Sequence, residues 1–180
     1  MIKFIARRAV RQFGARYSYD VEYLEALLDA SPSAFLKFVR AGALARHREQ
    51  APLEAFFAAK LVGALVEDCG PCVQLIADMA REAGVADEEI AALLTGKRAA
   101  MSDAARAGYD FAAALVRRDA ALDETRERVR ALWGPKGVVD LTLAAQSSRL
   151  YPVLKAGLGF TKECVRIRVA GQALTVVAPR

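Results

Sequence analysis

"LEAFFAAKLVGALVEDCGPCVQLIADMAREAGV", residues 53–85, decides how this chain is read. Its first half is Ala-rich and apolar with no strand-like alternation, so it reads as a helix opened by Pro52. Its second half resumes helical spacing at Leu75 and Met79 and ends at Gly84. Between the two lie Cys69-Gly70-Pro71-Cys72. Proline is tolerated in the first turn of a helix, where its missing N–H would be unpaired anyway. The second helix is therefore predicted to begin at about Gly70–Pro71, with Cys69 at its N-cap and Cys72 in its first turn.

The same punctuation extends along the chain. Asp20 is placed to cap a helix through Leu24, Leu27 and Leu28, and Ser31-Pro32 reads as an N-cap followed by proline at the first helical position. Asp87 is expected to cap a short helix ending at Gly96. Two further helices are predicted over 103–118 and 123–133, and Trp133-Gly134-Pro135 forces a turn. A last helical stretch runs from about Gly137 to Leu158, with Pro152 kinking or splitting it. Trp133, Tyr151 and Pro152 are read as shaping a helix junction, and Tyr109 and Phe111 as helix packing beside an exposed Asp110. In the tail, Val165, Ile167 and Val169 alternate with Arg166 and Arg168, and a turn at Gly171 leads to Leu174, Val176 and Val177, the pattern of a small hairpin. The expected architecture is one all-α domain over 1–180, with a basic amphipathic helix over 1–19 and a small β-hairpin over 164–178.

Charge is unevenly placed. Of 26 basic residues, five (Lys3, Arg7, Arg8, Arg11 and Arg16) fall in residues 1–19 with no acid among them, leaving 21 basic against 21 acidic elsewhere. The basicity belongs to one helix, whose apolar residues Ile2, Ile5, Ala9, Val10 and Phe13 are expected to pack on the chain's own domain or a neighbouring subunit. No later basic pattern or recognised motif points to nucleic acid. No apolar run reaches the roughly 18–20 residues that a membrane span needs, and none resembles a secretion signal. Three cysteines, an odd number, argue against a secreted disulfide scaffold and for a cytoplasmic setting, where a close dithiol is usually catalytic or metal-binding.

What the pair does is the central question. Residues three apart at a helix start lie within disulfide reach, and the unpaired N–H groups and helix dipole there favour a thiolate. Glu67 and Asp68 oppose this by charge. Helical spacing also sets Cys72 above Ile76, Met79, Ala80 and Ala83, an apolar stripe that would raise a thiol pKa and that fits buried core filler equally well. Zinc would need four ligands, and three cysteines with one histidine, His47, are scattered between 47 and 164, so no metal and no other cofactor is expected. Cys-Gly-Pro-Cys is also the thioredoxin tetrapeptide, but that fold needs a strand before the motif, and residues 53–68 read as helix.

A helix, a C-x-x-C and another helix in an all-α chain resemble the carboxymuconolactone decarboxylase-like superfamily, in its AhpD-like alkylhydroperoxidase branch. "AAKLVGALVEDCGPCVQLIADMAREAGV" is similar to that family's core, and "LWGPKGVVDLTLAAQSSRLYPVLKAGLG" to its later helical segment. The resemblance implies a homo-oligomer, a trimer or hexamer, acting as a thiol-dependent peroxidase or disulfide exchanger. Cys72 would attack a hydroperoxide, Cys69 would resolve the sulfenic acid, and an external dithiol would reduce the disulfide. A protein disulfide is the other substrate implied. The family's relay glutamate and histidine fall on Phe57 and Ile76, neither of which moves a proton. Glu67, the nearest carboxylate, is the candidate base in their place. His47 and Asp78 are read as solvated, Arg149 as no binding site by itself, and Cys164 as buried filler. The alternative is a non-catalytic helical ligand-binding or interaction protein whose dithiol is vestigial.

Overall fold

The computed structural model describes residues 2–160 and 167–177. Its helices are α1 (Ile2–Tyr17), α2 (Glu22–Ala30), α3 (Pro32–Ala41), α4 (Leu53–Leu65), α5 (Gly70–Glu82), α6 (Asp87–Thr95), α7 (Asp103–Arg117) and α8 (Leu122–Gly157). A 3-10 turn (Gly42–Arg46) follows α3, and a second (Arg98–Ala100) precedes α7. Two short strands close the described chain, β1 (Ile167–Val169) and β2 (Gln172–Leu174). The fold is all-α with one small hairpin. Cys164, and the hairpin residues expected at 164–166 and 178, lie outside the described residues. No helix among the described residues is long and apolar enough to cross a membrane.

Helix α4 is the axis of the main core. Every residue from Ala55 to Leu65 is buried, including Lys60, so the apolar character of residues 53–65 reflects burial on all sides. Two glycines let its neighbours approach closely. A Cβ on Gly63 would run into the Ala145 carbonyl and Ser148 on α8, and one on Gly108 of α7 would overlap the Ala55 backbone. Around α4 pack α5, α6, α7 and α8, with Phe111, Ile90, Leu93, Leu94 and Leu141 fully enclosed. A second, smaller cluster joins α1, α2 and α3 to the start of α5 and the end of α8, through Val10, Tyr19, Tyr23, Leu24, Leu28, Phe35 and Cys72.

Most helix starts follow their local chemistry. Ser31 Oγ accepts from the Ala34 amide at 3.3 Å with Pro32 behind it, and Ser102 Oγ accepts from Ala105 at 3.2 Å. Asp20 Oδ1 accepts the Glu22 amide at 3.0 Å, although Val21 is the N-cap. Asp87 is not a cap: it is the first residue of α6, where its charge still complements the helix dipole. Gly96 ends α6 in the left-handed conformation, φ +66°.

Three further expectations need correction. Pro152 does not split α8; only Trp133 and Gly134 leave helical dihedrals, dividing the helix there into two arms. The buried face of α1 is rotated from the one expected, running through Ala6, Val10, Phe13, Gly14 and Tyr17, while Ile5 is 61% exposed. Arg7 and Arg11 face α2, and Arg16 faces the end of α5. Arg11 makes a two-point pair with Glu25 (2.6 and 2.9 Å), Arg7 bonds Asp29, and Arg16 bonds Glu82. Asp110 is half-buried and pairs with Arg98 at 3.1 Å.

The hairpin pairs Ile167 with Leu174 and Val169 with Gln172, leaving Ala170 and Gly171 as a two-residue turn with φ of 49° and 79°. Positive φ at both positions matches the right-handed twist of the strands. Ile167 and Val169 face the core, and Gln74 of α5 clamps the backbone of Arg168 at both its N–H (2.7 Å) and its carbonyl (3.0 Å).

Candidate functional site

The α4–α5 junction carries the cysteines. After Leu65 the chain turns through Glu67 and Asp68, the latter in the left-handed region at φ 49°, and α5 starts at Gly70 with Cys69 as N-cap. Pro71 occupies the first turn, as its missing N–H allows. Cys69 and Cys72 are joined in a disulfide with Cα atoms 5.3 Å apart. The two sulfurs differ in access: Cys69 is half-buried, whereas Cys72 is 3% exposed.

Cys72 does not cap the Ile76–Ala80 stripe. Ile76, Ala77 and Ala80 belong to the main core, while Cys72, with Cys69 and Leu75, packs into the smaller cluster against α1 and α2. The disulfide thus sits on the seam between the two clusters. Phe57 and Ile76 are both buried in the main core, Phe57 edge-on to Phe56, so neither position offers a polar group.

The polar groups at the pair come from distant parts of the chain. The Tyr19 hydroxyl lies 3.5 Å from Cys72 Sγ and 3.3 Å from the Tyr23 hydroxyl. A disulfide sulfur carries no proton, so in the first contact Tyr19 donates. Its one hydrogen being spent, the O–H between the two tyrosines must be Tyr23's. The chain of donation runs Tyr23 to Tyr19 to Cys72. The two rings meet edge to face, and Lys155, itself buried, sets its ammonium 4.2 Å from the Tyr19 ring centre and 4.9 Å from that of Tyr23. Burial pushes the Tyr19 phenol up to about 12, and burial with the Tyr19 contact drives Tyr23 higher still. Both stay protonated, as donors, throughout the neutral range. Tyr151 flanks the cluster, its ring edge-on to Phe38 at 5.2 Å and its hydroxyl against Gly42, where a Cβ would come within 2.6 Å. Tyr19 also lines an open groove of about 700 Å³ with Arg11, Asp20, Glu22 and Glu25.

Glu67 stands two residues before Cys69, and its Oε1 accepts from Arg149 Nε at 2.5 Å. Arg149, read as no binding site by itself, therefore neutralises one of the two acids beside the pair. Tyr19, Tyr23 and Lys155 were missed altogether. The four-residue spacing of the tyrosines places them on one side of the α1–α2 turn, but nothing local says that this side meets Cys72, 53 residues on.

The remaining candidates lie elsewhere. Asp78 accepts from Gln74 at 3.0 Å and faces Arg81 at 3.6 Å on the outer side of α5. His47 sits 3.6 Å from both Glu49 and Asp140. Asp140 is fully buried in α8, and its Oδ2 accepts the amides of Glu49, Gln50 and Ala51 at 2.8–3.0 Å, fixing the strap that leads into α4. Lys60 is a further buried group that sequence reading missed. Its ammonium donates to the Ala45 carbonyl at 3.1 Å and lies 5.2–5.3 Å from the ring centres of Phe56 and Phe57; burial first, and Arg46 second, bring its pKa down to about 8. Among the described residues no three His, Cys, Asp or Glu side chains gather as a metal site.

Compared with protein-family models, with curated proteins and with solved structures, the chain matches none.

Proposed function

We propose that the chain is a thiol-dependent redox protein whose Cys69–Cys72 pair cycles between dithiol and disulfide, by exchange with a protein disulfide or by reduction of a hydroperoxide. One observation carries the reading: the two sulfurs form a disulfide at a helix N-terminus while a buried hydroxyl donor addresses the inner one. Core filler calls for neither. In the peroxide reaction the Cys72 thiolate attacks the O–O bond, taking one oxygen as sulfenic acid and releasing an alcohol once a proton is supplied. The Cys69 thiol then displaces water to form the disulfide, and an external dithiol returns two electrons by exchange. With Phe57 and Ile76 in the relay positions, exchange is the faster activity and peroxide turnover the slower. The AhpD-like resemblance rests on the two helices flanking the motif, and a cytoplasmic homo-oligomer, trimer or hexamer, goes with it. Glu67 keeps a place as candidate base, tethered to Arg149.

Peptide mapping of reduced protein treated with a small excess of an organic hydroperoxide tests the reading. A mass loss of about two units confined to the 69–72 peptide, reversed by dithiol and abolished in Cys72→Ser, is expected. Thiols that stay reduced under peroxide and under a disulfide reagent alike defeat it. The second reading, a ligand-binding or interaction protein with a vestigial pair, draws on the 3% exposure of Cys72, and it predicts that result.

A further inference from the structure

We propose that Tyr19 is a catalytic residue of this pair: its hydroxyl receives the Cys72 thiolate that leaves when an external thiolate attacks Cys69. The proposal rests on the redox reading above and supplies the polar group that Phe57 and Ile76 do not.

Access selects the direction of attack. A thiolate must approach a disulfide along the S–S axis from behind the sulfur it attacks. Of the two sulfurs' residues, Cys69, half-buried at the N-cap, is the more accessible to such an approach, and Cys72 is 3% exposed. One thiolate of a donor dithiol therefore bonds to Cys69 Sγ. The S–S bond breaks, and its electron pair goes to Cys72 Sγ. The donor's second thiol, deprotonated, attacks the donor sulfur in this mixed disulfide, closing the donor's own disulfide and expelling Cys69 as a thiolate. Two electrons have passed from donor to pair, and the two cysteines take up the two protons the donor has lost.

The sulfur that becomes anionic while still buried is Cys72, and the hydroxyl waiting 3.5 Å from it is Tyr19. The Tyr23 O–H polarises that hydroxyl, and the Lys155 ammonium lies against both rings. Tyr151 and Asp20 are the other titratable groups acting on Tyr19, and the Glu67 charge nearby is taken up by Arg149. A phenol held protonated through the neutral range donates without exchanging its own proton. The start of α5 adds its unpaired N–H groups. On re-oxidation the same contact keeps Cys72 in the nucleophilic form.

The test compares Tyr19→Phe, Tyr23→Phe and Tyr17→Phe. The last deletes a hydroxyl that bonds Glu82 and serves as a control. Two quantities are read: the rate at which dithiothreitol reduces the disulfide at pH 7, and the pH midpoint of the 240 nm thiolate absorbance of reduced Cys72 in a Cys69→Ser, Cys164→Ser background. Losing a hydrogen bond to an anion should slow reduction about tenfold in Tyr19→Phe and move the midpoint upward. Tyr23→Phe should give a smaller change of the same sign, and it carries the test if circular dichroism shows Tyr19→Phe unfolded. Tyr17→Phe should match wild type. A midpoint unmoved in Tyr19→Phe overturns the proposal, even with a slower rate, because loosened packing alone would produce that. A wild-type pair that neither dithiothreitol nor a disulfide can convert overturns the redox reading itself, an outcome distinct from the first.

Discussion

Replacing Asp140 by Ala should be among the most damaging single changes in the protein. Its carboxylate is fully buried, and one oxygen accepts three consecutive amides, those of Glu49, Gln50 and Ala51. Burial raises the carboxyl pKa, but those three bonds, with His47 facing the other oxygen at 3.6 Å, hold it below the usual carboxylate range. Glu49 and Gln50 are exposed, so their amides can take water instead, whereas Ala51 is 0% exposed and its amide would be stranded. One stranded buried donor and two lost charge-assisted bonds together come to about 3–5 kcal/mol. Asp140→Asn keeps an acceptor for the amides and loses only the charge, for a cost of about 1–2 kcal/mol. The pH dependence has a definite sign. A carboxyl depressed in the folded state stabilises fully above its unfolded pKa of about 3.9, and the contribution is lost as pH falls through the folded value. The gap between wild type and Asp140→Asn should therefore be complete at pH 7 and shrink at pH 3. Urea unfolding followed by circular dichroism at both pH values measures it. An Asp140→Ala protein within 1 kcal/mol of wild type at pH 7, by the scale of these bonds, would refute the reasoning.

Other consequences follow from single contacts. Lys60 is destabilised as a cation by its burial, so folding stability should rise as pH climbs from about 8 toward the free-lysine value near 10.5; the Lys60→Met difference curve should show this rise, with Met the more stable at pH 7 by about 3 kcal/mol at most. Gly108→Ala should lower the melting temperature sharply, because the added methyl meets the Ala55 backbone, which cannot move aside; an unchanged melt would mean that α4 and α7 are not so closely apposed. Ala170→Gly should stabilise the hairpin by up to about 1 kcal/mol by relieving a left-handed alanine, measured as slower hydrogen exchange at the Gln172 and Leu174 amides.

The sequence was most readable where a residue's effect stays within its own turn. Ser31-Pro32, Pro71 and Gly96 act on the backbone beside them, so they marked α3, α5 and α6 without knowledge of the rest of the fold. The disulfide pair was legible for the same reason. Faces were harder. Helix α1 carries enough scattered apolar residues to support two stripes, and α2, with Glu25 and Asp29 to meet Arg7 and Arg11, selects the one centred on Val10 and leaves Ile5 in water. Pro152 looked like a break because the lost amide bond is local, but α8 is held on both sides of it by packing, and helical dihedrals persist. The chemistry around Cys72 was the least visible part. Tyr19, Tyr23 and Lys155 reach it only because the α1–α2 turn folds across the ends of α5 and α8, and no short-range pattern encodes that.

The measurement closest to the central claim is a redox titration of the native protein against mixtures of reduced and oxidised glutathione, with the 69–72 peptide read by mass after acid quenching. Cycling of the pair predicts one reversible two-electron transition, with a tenfold change in the dithiol–disulfide ratio for every 30 mV or so. A pair that stays oxidised across the whole series would make the disulfide a fixture of the fold, one that stays reduced would make the cysteines packing residues, and either would contradict the account.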